Sequence, residues 1–254
     1  MAADALLRWL VDGSLSATAA LLLVLALRRP LRRAFGAGVA YGAWALVPVA
    51  LLAAALPRPQ PAQVLVPELI PLHPGTFVAI GAAAPQLPAT GGMDGSLLLV
   101  LAWLAGCALA AVGFIRQQRR FVAGLGVLAR DRHGHWRGAG VPAPAVVGAL
   151  RPRIVLPADF EARHAADEAA LVLAHEQAHL ARGDTRAALV AVVLRCVLWF
   201  HPLVHLAARS FRLDQELACD AAVLAGHPRS RRRYAGAMLN VQLSVPGLPV
   251  GCHW

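Results

Sequence analysis

Residues 175–179 read His-Glu-Gln-Ala-His and follow the apolar run at 171–174. On an α-helix His175 and His179 share one face because they lie four positions apart, so both imidazoles can bind one tetrahedral metal ion. Glu176 lies beside that face, where its carboxylate can take a proton from a water molecule at the metal. The pattern predicts a Zn²⁺-dependent hydrolytic site; the alternative is a helix that carries two histidines and a surface carboxylate.

A third metal ligand is available further along the chain. Residues 212–220 read Arg-Leu-Asp-Gln-Glu-Leu-Ala-Cys-Asp, and on a helix Glu216 and Asp220 share one face. Glu216 would complete a His₂Glu set and leave the fourth position open, as in catalytic rather than structural zinc sites. Asp220 would accept the free N–H of a ligating histidine. The alternative for both carboxylates is a solvated helix face, and Cys219 is predicted to be a small packed side chain.

The composition indicates a membrane protein. The chain has 254 residues, of which 58% are hydrophobic and 15% charged, and its mean hydropathy is +0.57. Soluble domains are about 45–50% apolar and about 25% charged. Segments 34–56 and 97–115 carry no charged residue and are long enough to cross a bilayer. Segment 10–27 is predicted to be a retained anchor, because arginines and no cleavage site follow it.

Arginines define the predicted orientation of these spans. All 24 basic residues are arginine; they cluster in a turn at 28–33 and again at 116–120, whereas the loop at 57–96 has only Arg58. Cytoplasmic loops carry the excess of positive charge. We therefore predict a multi-pass inner (plasma) membrane protein with its N-terminus and the 57–96 loop outside and everything after Arg116 in the cytoplasm.

The net charge of +10 could also indicate nucleic-acid binding. We rank that class last, because topology and anionic lipid account for most juxtamembrane arginines and neither a helix-turn-helix nor interleaved aromatic and basic residues occur. The remaining basic cluster, at 229–233, could contact lipid headgroups, an acidic partner or nucleic acid. The expected partners are a protein substrate, the lipid bilayer and a second copy of the chain.

Several elements must position the candidate site. Two β-rich runs within 141–156 predict a small sheet or hairpin whose edge strand accepts substrate. The motif helix is predicted to end at Gly183, with Asp184 as the N-cap of the next helix. The apolar stretch 186–210 is predicted to be one buried or membrane-lying helix, because a fourth span would put Glu216 across the membrane from His175. In that stretch His201 and His205 are predicted to pack rather than to bind a second metal.

At this point the chain resembles membrane zinc metallopeptidases of the BlaR/MecR type, the family of the β-lactam sensor-transducers. The resemblance rests on Gly-Ala-Leu-Arg-Pro-Arg-Ile-Val-Leu-Pro at 148–157 and on the motif at 175–179 with Arg-Gly-Asp at 182–184. It continues through Trp-Phe-His-Pro-Leu at 199–203 and Glu-Leu-Ala-Cys-Asp at 216–220.

The resemblance implies a mainly α fold, a multi-span α-helical membrane protein with a cytoplasmic gluzincin-like α+β peptidase domain. The expected boundaries are 1–120 for the membrane domain, 121–245 for the peptidase domain and 246–254 for a tail. The implied roles are zinc binding by His175, His179 and Glu216, and general-base catalysis by Glu176. Asp220 joins the predicted catalytic residues from its spacing, as the carboxylate that accepts the free N–H of a ligating histidine. In the antibiotic-sensing members it also implies signal-driven cleavage of the receptor itself and of a cytoplasmic transcriptional repressor.

The chain departs from the antibiotic sensors in one respect. It reaches Trp254 without a Ser-x-x-Lys acylation motif or a further apolar run, which fits either a truncated product or a member that senses by other means. β-Lactam sensing is therefore not part of the prediction. Two alternatives to a signalling endopeptidase stay open: a non-catalytic scaffold with structural zinc, and a membrane quality-control or processing peptidase.

The predicted orientation can be tested with introduced cysteines. A Gly92→Cys protein should react with a membrane-impermeant thiol reagent on intact cells, whereas a His135→Cys protein should react only after the cells are opened. The unsubstituted chain measures the background from the four native cysteines. The reverse labelling pattern would contradict the orientation and, with it, a cytoplasmic peptidase domain.

Overall fold

The computed structural model describes residues 2–56 and 95–243. Within these ranges the chain is mainly helical and carries one small sheet. The predicted loop at 57–96 lies outside the described residues except for its last two positions, and the predicted tail at 246–254 lies wholly outside them. The described part of the first half comprises α1 (Ala2–Phe35), α2 (Ala37–Gly42), a 3₁₀ turn (Ala43–Ala45), α3 (Leu46–Ala55) and α4 (Gly95–Gly124).

Three stretches in the described ranges are long and apolar enough to cross a membrane: α1, the run from α2 to α3 (Ala37–Ala55), and α4. They coincide with the three predicted spans. The boundary after the first span differs, however, because α1 does not turn at residues 28–33 but runs through Pro30 to Phe35. The chain changes direction at Gly36 instead, where a φ of 91° is the left-handed conformation that favours glycine.

The sheet has the strand order β1-β2-β4-β3, with β1 (Ala129–Arg130), β2 (Trp136–Gly138), β3 (Ala145–Val147) and β4 (Arg153–Pro157). Strands β2 and β4 pair in parallel, and the other two pairs are antiparallel. The sequence indicated β3 and β4 but not β1 and β2, which are too short to show an alternating pattern. Strand β4 is largely buried and contributes Ile154 and Leu156 to a core that includes Val172 of the motif helix.

The second half of the described chain is helical: α5 (Phe160–Arg163), α6 (Ala166–Arg182), α7 (Asp184–Val197), α8 (Pro202–Gly226), a 3₁₀ turn (Pro228–Ser230) and α9 (Arg231–Leu243). Helix α6 ends, as predicted, at Gly183, whose φ of 69° is left-handed. The prediction that Asp184 caps α7 is wrong. Gly183 occupies the N-cap position, and Asp184 is the first helical residue, with its side chain turned towards α6.

The prediction of one helix over 186–210 is also wrong, because the chain turns back between Val197 and Pro202. Proline has no backbone N–H and starts a helix more readily than it continues one. The 14 residues of α7 rise about 21 Å, and the same number from Pro202 to Gln215 rise about as far. Helix α8 therefore returns to the start of α7, where Gln215 Nε2 donates to the carbonyl oxygen of Asp184 at 3.2 Å.

The turn of this α7–α8 hairpin packs against the middle of α1 and α4. The Trp103 indole of α4 donates to the carbonyl oxygen of Val197 at 2.9 Å. His201 Nε2 lies 2.9 Å from Thr18 Oγ1 of α1, and His205 Nε2 lies 2.9 Å from the Trp199 carbonyl oxygen. Each of these two imidazole nitrogens therefore has its own partner; His201 is buried and His205 is exposed, and the packing role of the pair stays a prediction. The division at residue 120 between two domains remains a prediction.

Gly106 of α4 gives a test of this packing. A Cβ at Gly106 would overlap the Trp199 indole, whereas a Cβ at Gly113 of the same helix would have no neighbour within 4 Å. Because the indole would have to leave its hydrogen bond to Trp103, Gly106→Ala should destabilise the detergent-solubilised protein by about 1–3 kcal/mol. Thermal unfolding measures the effect, with Gly113→Ala as the matched control. Equal melting temperatures for the two variants would contradict the described position of the hairpin.

Candidate metal centre

The motif on α6 places two imidazoles against each other. His175 and His179 are both buried, and their Nε2 atoms lie 3.0 Å apart. The rings meet edge to face, with centroids 4.7 Å apart. This is the arrangement expected for an i, i+4 pair on one helical face, and it points two nitrogen lone pairs at a common position.

Glu216 of α8 reaches the same position. Its Oε2 lies 3.4 Å from His175 Nε2 and 3.6 Å from His179 Nε2. Bonds of about 2.0–2.2 Å to a tetrahedral Zn²⁺ put ligand atoms about 3.3–3.6 Å apart. Both oxygen–nitrogen distances match that range, whereas the two nitrogens, 3.0 Å apart, would have to separate slightly around an ion. Burial would raise the pKa of Glu216, but the two neighbouring imidazoles lower that pKa to about 2. The carboxylate is therefore ionised, as a metal ligand must be.

The outer nitrogen of His179 is held by Asp184. Asp184 Oδ2 lies 2.7 Å from His179 Nδ1, and this carboxyl side chain is fully buried. A neutral imidazole whose Nδ1–H donates to this carboxylate would present its Nε2 lone pair to a metal ion. The sequence indicated Asp184 only as a helix cap, so its part in the site was missed.

The outer nitrogen of His175 is held by Tyr234 of α9. The Tyr234 hydroxyl lies 2.6 Å from His175 Nδ1 and donates to Asp220 Oδ1 at 2.6 Å. Asp220 Oδ1 itself is 3.5 Å from that nitrogen, so the carboxylate supports His175 mainly through the tyrosine. Tyr234 was also missed, because no spacing links it to the motif.

Burial and neighbouring carboxylates create a site that attracts positive charge. Burial alone would lower the pKa of His175, but Asp220, Cys219 and Glu216 outweigh it and raise that pKa. Beside the imidazoles, burial raises the pKa of Glu176, although the nearby histidines oppose the shift. A carboxyl group with a raised pKa holds a proton more readily than an exposed one, which suits a general base.

Cys219 is a second candidate for the third ligand. Suitable donor atoms of His175, His179 and Cys219 all lie within 4.8 Å of one another. The thiol is fully buried and lies 3.3 Å from the carbonyl oxygen of His175. Burial would raise the pKa of Cys219, but the two imidazoles lower it, so a thiolate is accessible. Glu216 fits better, because its oxygen lies at tetrahedral distances from both nitrogens while the thiol donates to the backbone.

A family profile described as BlaR1 peptidase M56 matches residues 9–254. The chain belongs to this family. The regulatory protein BlaR1 of Bacillus licheniformis is 37% identical over 84 residues, which make up 33% of this chain and 14% of that relative. The match therefore spans a small part of the relative's length. Family membership confirms the resemblance to BlaR/MecR-type peptidases and agrees with a metal site at the clustered histidines.

The identity of the third ligand can be tested by replacing each candidate. Glu216→Gln should lose most bound metal, because the neutral amide gives up the charge that holds the cation between the two histidines. Cys219→Ala should retain metal, since the thiol contacts the backbone instead. Metal content of the purified proteins, measured by elemental analysis, decides between them. Full metal in Glu216→Gln with loss in Cys219→Ala would move the third ligand to the cysteine.

Proposed function

We propose that this protein is a membrane-anchored zinc endopeptidase that cleaves a regulatory protein during signal transduction. The observation that carries the proposal is the convergence of His175, His179 and Glu216 on one position beside the buried Glu176. This is a His₂Glu set with one position left for water, together with a carboxylate suited to proton transfer.

Each residue of the site has a separate task in this proposal. His175, His179 and Glu216 would hold the Zn²⁺, which when bound would supply Lewis acidity to a water molecule and to the scissile carbonyl. Glu176 takes the proton from the attacking water on its carboxylate and returns it to the leaving amine. Asp184 and Tyr234 hold the outer imidazole nitrogens, so both Nε2 lone pairs stay directed at the metal position.

The proposed substrate is a protein segment in an extended conformation. Strand β3 is an edge of the sheet, and an extended peptide can pair with such an edge through its backbone. The end of this strand is joined to the site, because Thr185 Oγ1 beside Asp184 donates to the carbonyl oxygen of Ala149 at 3.4 Å. A cytoplasmic repressor and the chain itself are the proposed targets, and the regulatory name of the relative supports a signalling role.

The proposed location is the inner (plasma) membrane. The protein would cross it several times, with the N-terminus outside and the peptidase domain in the cytoplasm. The three apolar stretches and the arginine distribution support this arrangement.

A structural zinc site in a signalling scaffold is the second candidate, and Cys219 is the observation that favours it. If Cys219 and Glu216 bound the same ion as the two histidines, four protein ligands would fill a tetrahedral site and exclude water. Such a site would not need Glu176 for proton transfer, so the effect of replacing Glu176 separates the two candidates.

Glu176→Gln should therefore retain zinc and lose proteolysis. Glutamine keeps the size of the side chain but cannot take up the proton, and loss of a general base commonly costs about 10²–10⁴ in rate. The measurement is zinc content together with cleavage of a co-expressed candidate repressor or of the chain itself.

Two variants serve as comparisons. Glu168→Gln, on the same helix but outside the site, should cleave normally. Asp220→Asn should lose less proteolysis than Glu176→Gln does, and it should weaken zinc binding by roughly 10–100-fold. Wild-type proteolysis by zinc-loaded Glu176→Gln would rule out the general-base role and favour the scaffold.

A further inference from the structure

The two residues that precede Glu216 anchor α8 to the membrane helices. The Asp214 side chain is fully buried, and its Oδ2 lies 3.2 Å from Arg28 Nε of α1. The Trp44 indole, at the 3₁₀ turn between α2 and α3, donates to the same oxygen at 2.9 Å. Arg32 Nη1, one turn beyond Arg28, lies 3.6 Å from the other carboxylate oxygen. A buried carboxylate needs such partners, so this position of α8 is strongly specified.

Gln215 makes a second connection, which reaches the partner of His179. Its Nε2 donates to the Tyr41 hydroxyl of α2 at 3.0 Å and to the Asp184 carbonyl oxygen at 3.2 Å. The Arg182 guanidinium stacks on the Tyr41 ring at 4.7 Å, and Arg182 Nε lies 3.5 Å from Asp184 Oδ1. Asp184, which orients His179, is therefore linked to Tyr41 of α2 through Gln215 and Arg182.

Helix geometry makes this anchor relevant to the metal. Successive residues of an α-helix point about 100° apart, so Asp214 and Glu216 face nearly opposite sides of α8. Asp214 faces α1 and Trp44, while Glu216 faces the two histidines of α6. A rotation or slide of α8 that broke the first contact would also move the Glu216 carboxylate away from the imidazoles.

We propose that the buried Arg28–Asp214 pair, completed by Trp44, positions Glu216 for metal binding, so that a residue of the first membrane helix controls the metal site. Arg28 is then a positioning residue, because it acts through Asp214 and the rotation of α8. The inference rests on the proposed His175, His179 and Glu216 site and extends it to the membrane helices. It makes the zinc affinity depend on how α1 lies against α8.

The test measures zinc affinity of the full chain in detergent by competition with a chromophoric chelator. Arg28→Gln should bind zinc roughly 10–100-fold more weakly, the range seen when outer partners of a metal site are lost. Arg29→Gln is the matched control, since this neighbouring arginine is exposed, and it should bind as the wild type does. Asp214→Asn should weaken binding as Arg28→Gln does. The double variant Arg28→Gln/Asp214→Asn should recover part of the loss, because no unpaired charge remains buried.

Thermal unfolding and proteolysis of the same samples separate positioning from stability. A lower melting temperature for Arg28→Gln with wild-type zinc affinity would overturn the inference, because the pair would then only stabilise the fold. If Arg28→Gln does not fold, Trp44→Phe removes one hydrogen bond to Asp214 and keeps an aromatic ring. Unchanged affinity in that variant would overturn the inference as well. A folded wild-type chain that binds no zinc would overturn the proposed function together with this inference.

Discussion

Two histidine nitrogens of α6 and one carboxylate oxygen of α8 meet within 3.6 Å in a largely buried position. Buried polar atoms at this density are costly unless each has a partner, and much of the second half of the chain supplies those partners. Asp184 at the start of α7 holds one imidazole, and Tyr234 of α9 holds the other. The helices that follow the motif thus supply the partners of both imidazoles, so their packing affects the proposed metal site.

The α7–α8 hairpin satisfies this constraint and also joins the site to the membrane helices. Helix α7 begins beside His179, the turn packs against α1 and α4, and α8 places Glu216 beside the histidines. Apolar residues at the turn, such as Leu198 and Val204, belong to the same core as Leu21 and Val24 of α1. The hydrophobic packing that anchors the hairpin therefore also determines how far α8 reaches back towards α6. Helix α8, which carries the proposed ligand Glu216, therefore also packs against the apolar helix α1.

The sequence was informative where a function depends on short spacing. His175, Glu176 and His179 lie within one helical turn or so, and their arrangement follows from the helical repeat alone. Glu216 could be proposed because a catalytic zinc site requires a third protein ligand. The same requirement predicted that the chain after the motif brings Glu216 back to the two histidines. The turn before Pro202 was missed because apolar residues on both sides gave one continuous helical pattern. Tyr234 and Asp184 were missed for a different reason: a hydrogen bond between distant segments leaves no periodic pattern, and an aspartate after glycine resembles a helix cap.

The buried Glu176 is the feature that a purely structural metal site explains least well. A carboxyl group removed from water is unfavourable in its charged form, and its raised pKa reflects that cost. Glu216 offsets a similar cost through two imidazoles, and Asp184 through His179. The charges of the same histidines favour the ionised form of Glu176, but burial outweighs them and its pKa stays raised, so its burial contributes little to stability. A buried carboxyl group with a raised pKa beside the proposed metal position is suited to take up a proton and return it. The environment of this residue is therefore better matched to turnover than to holding the fold together.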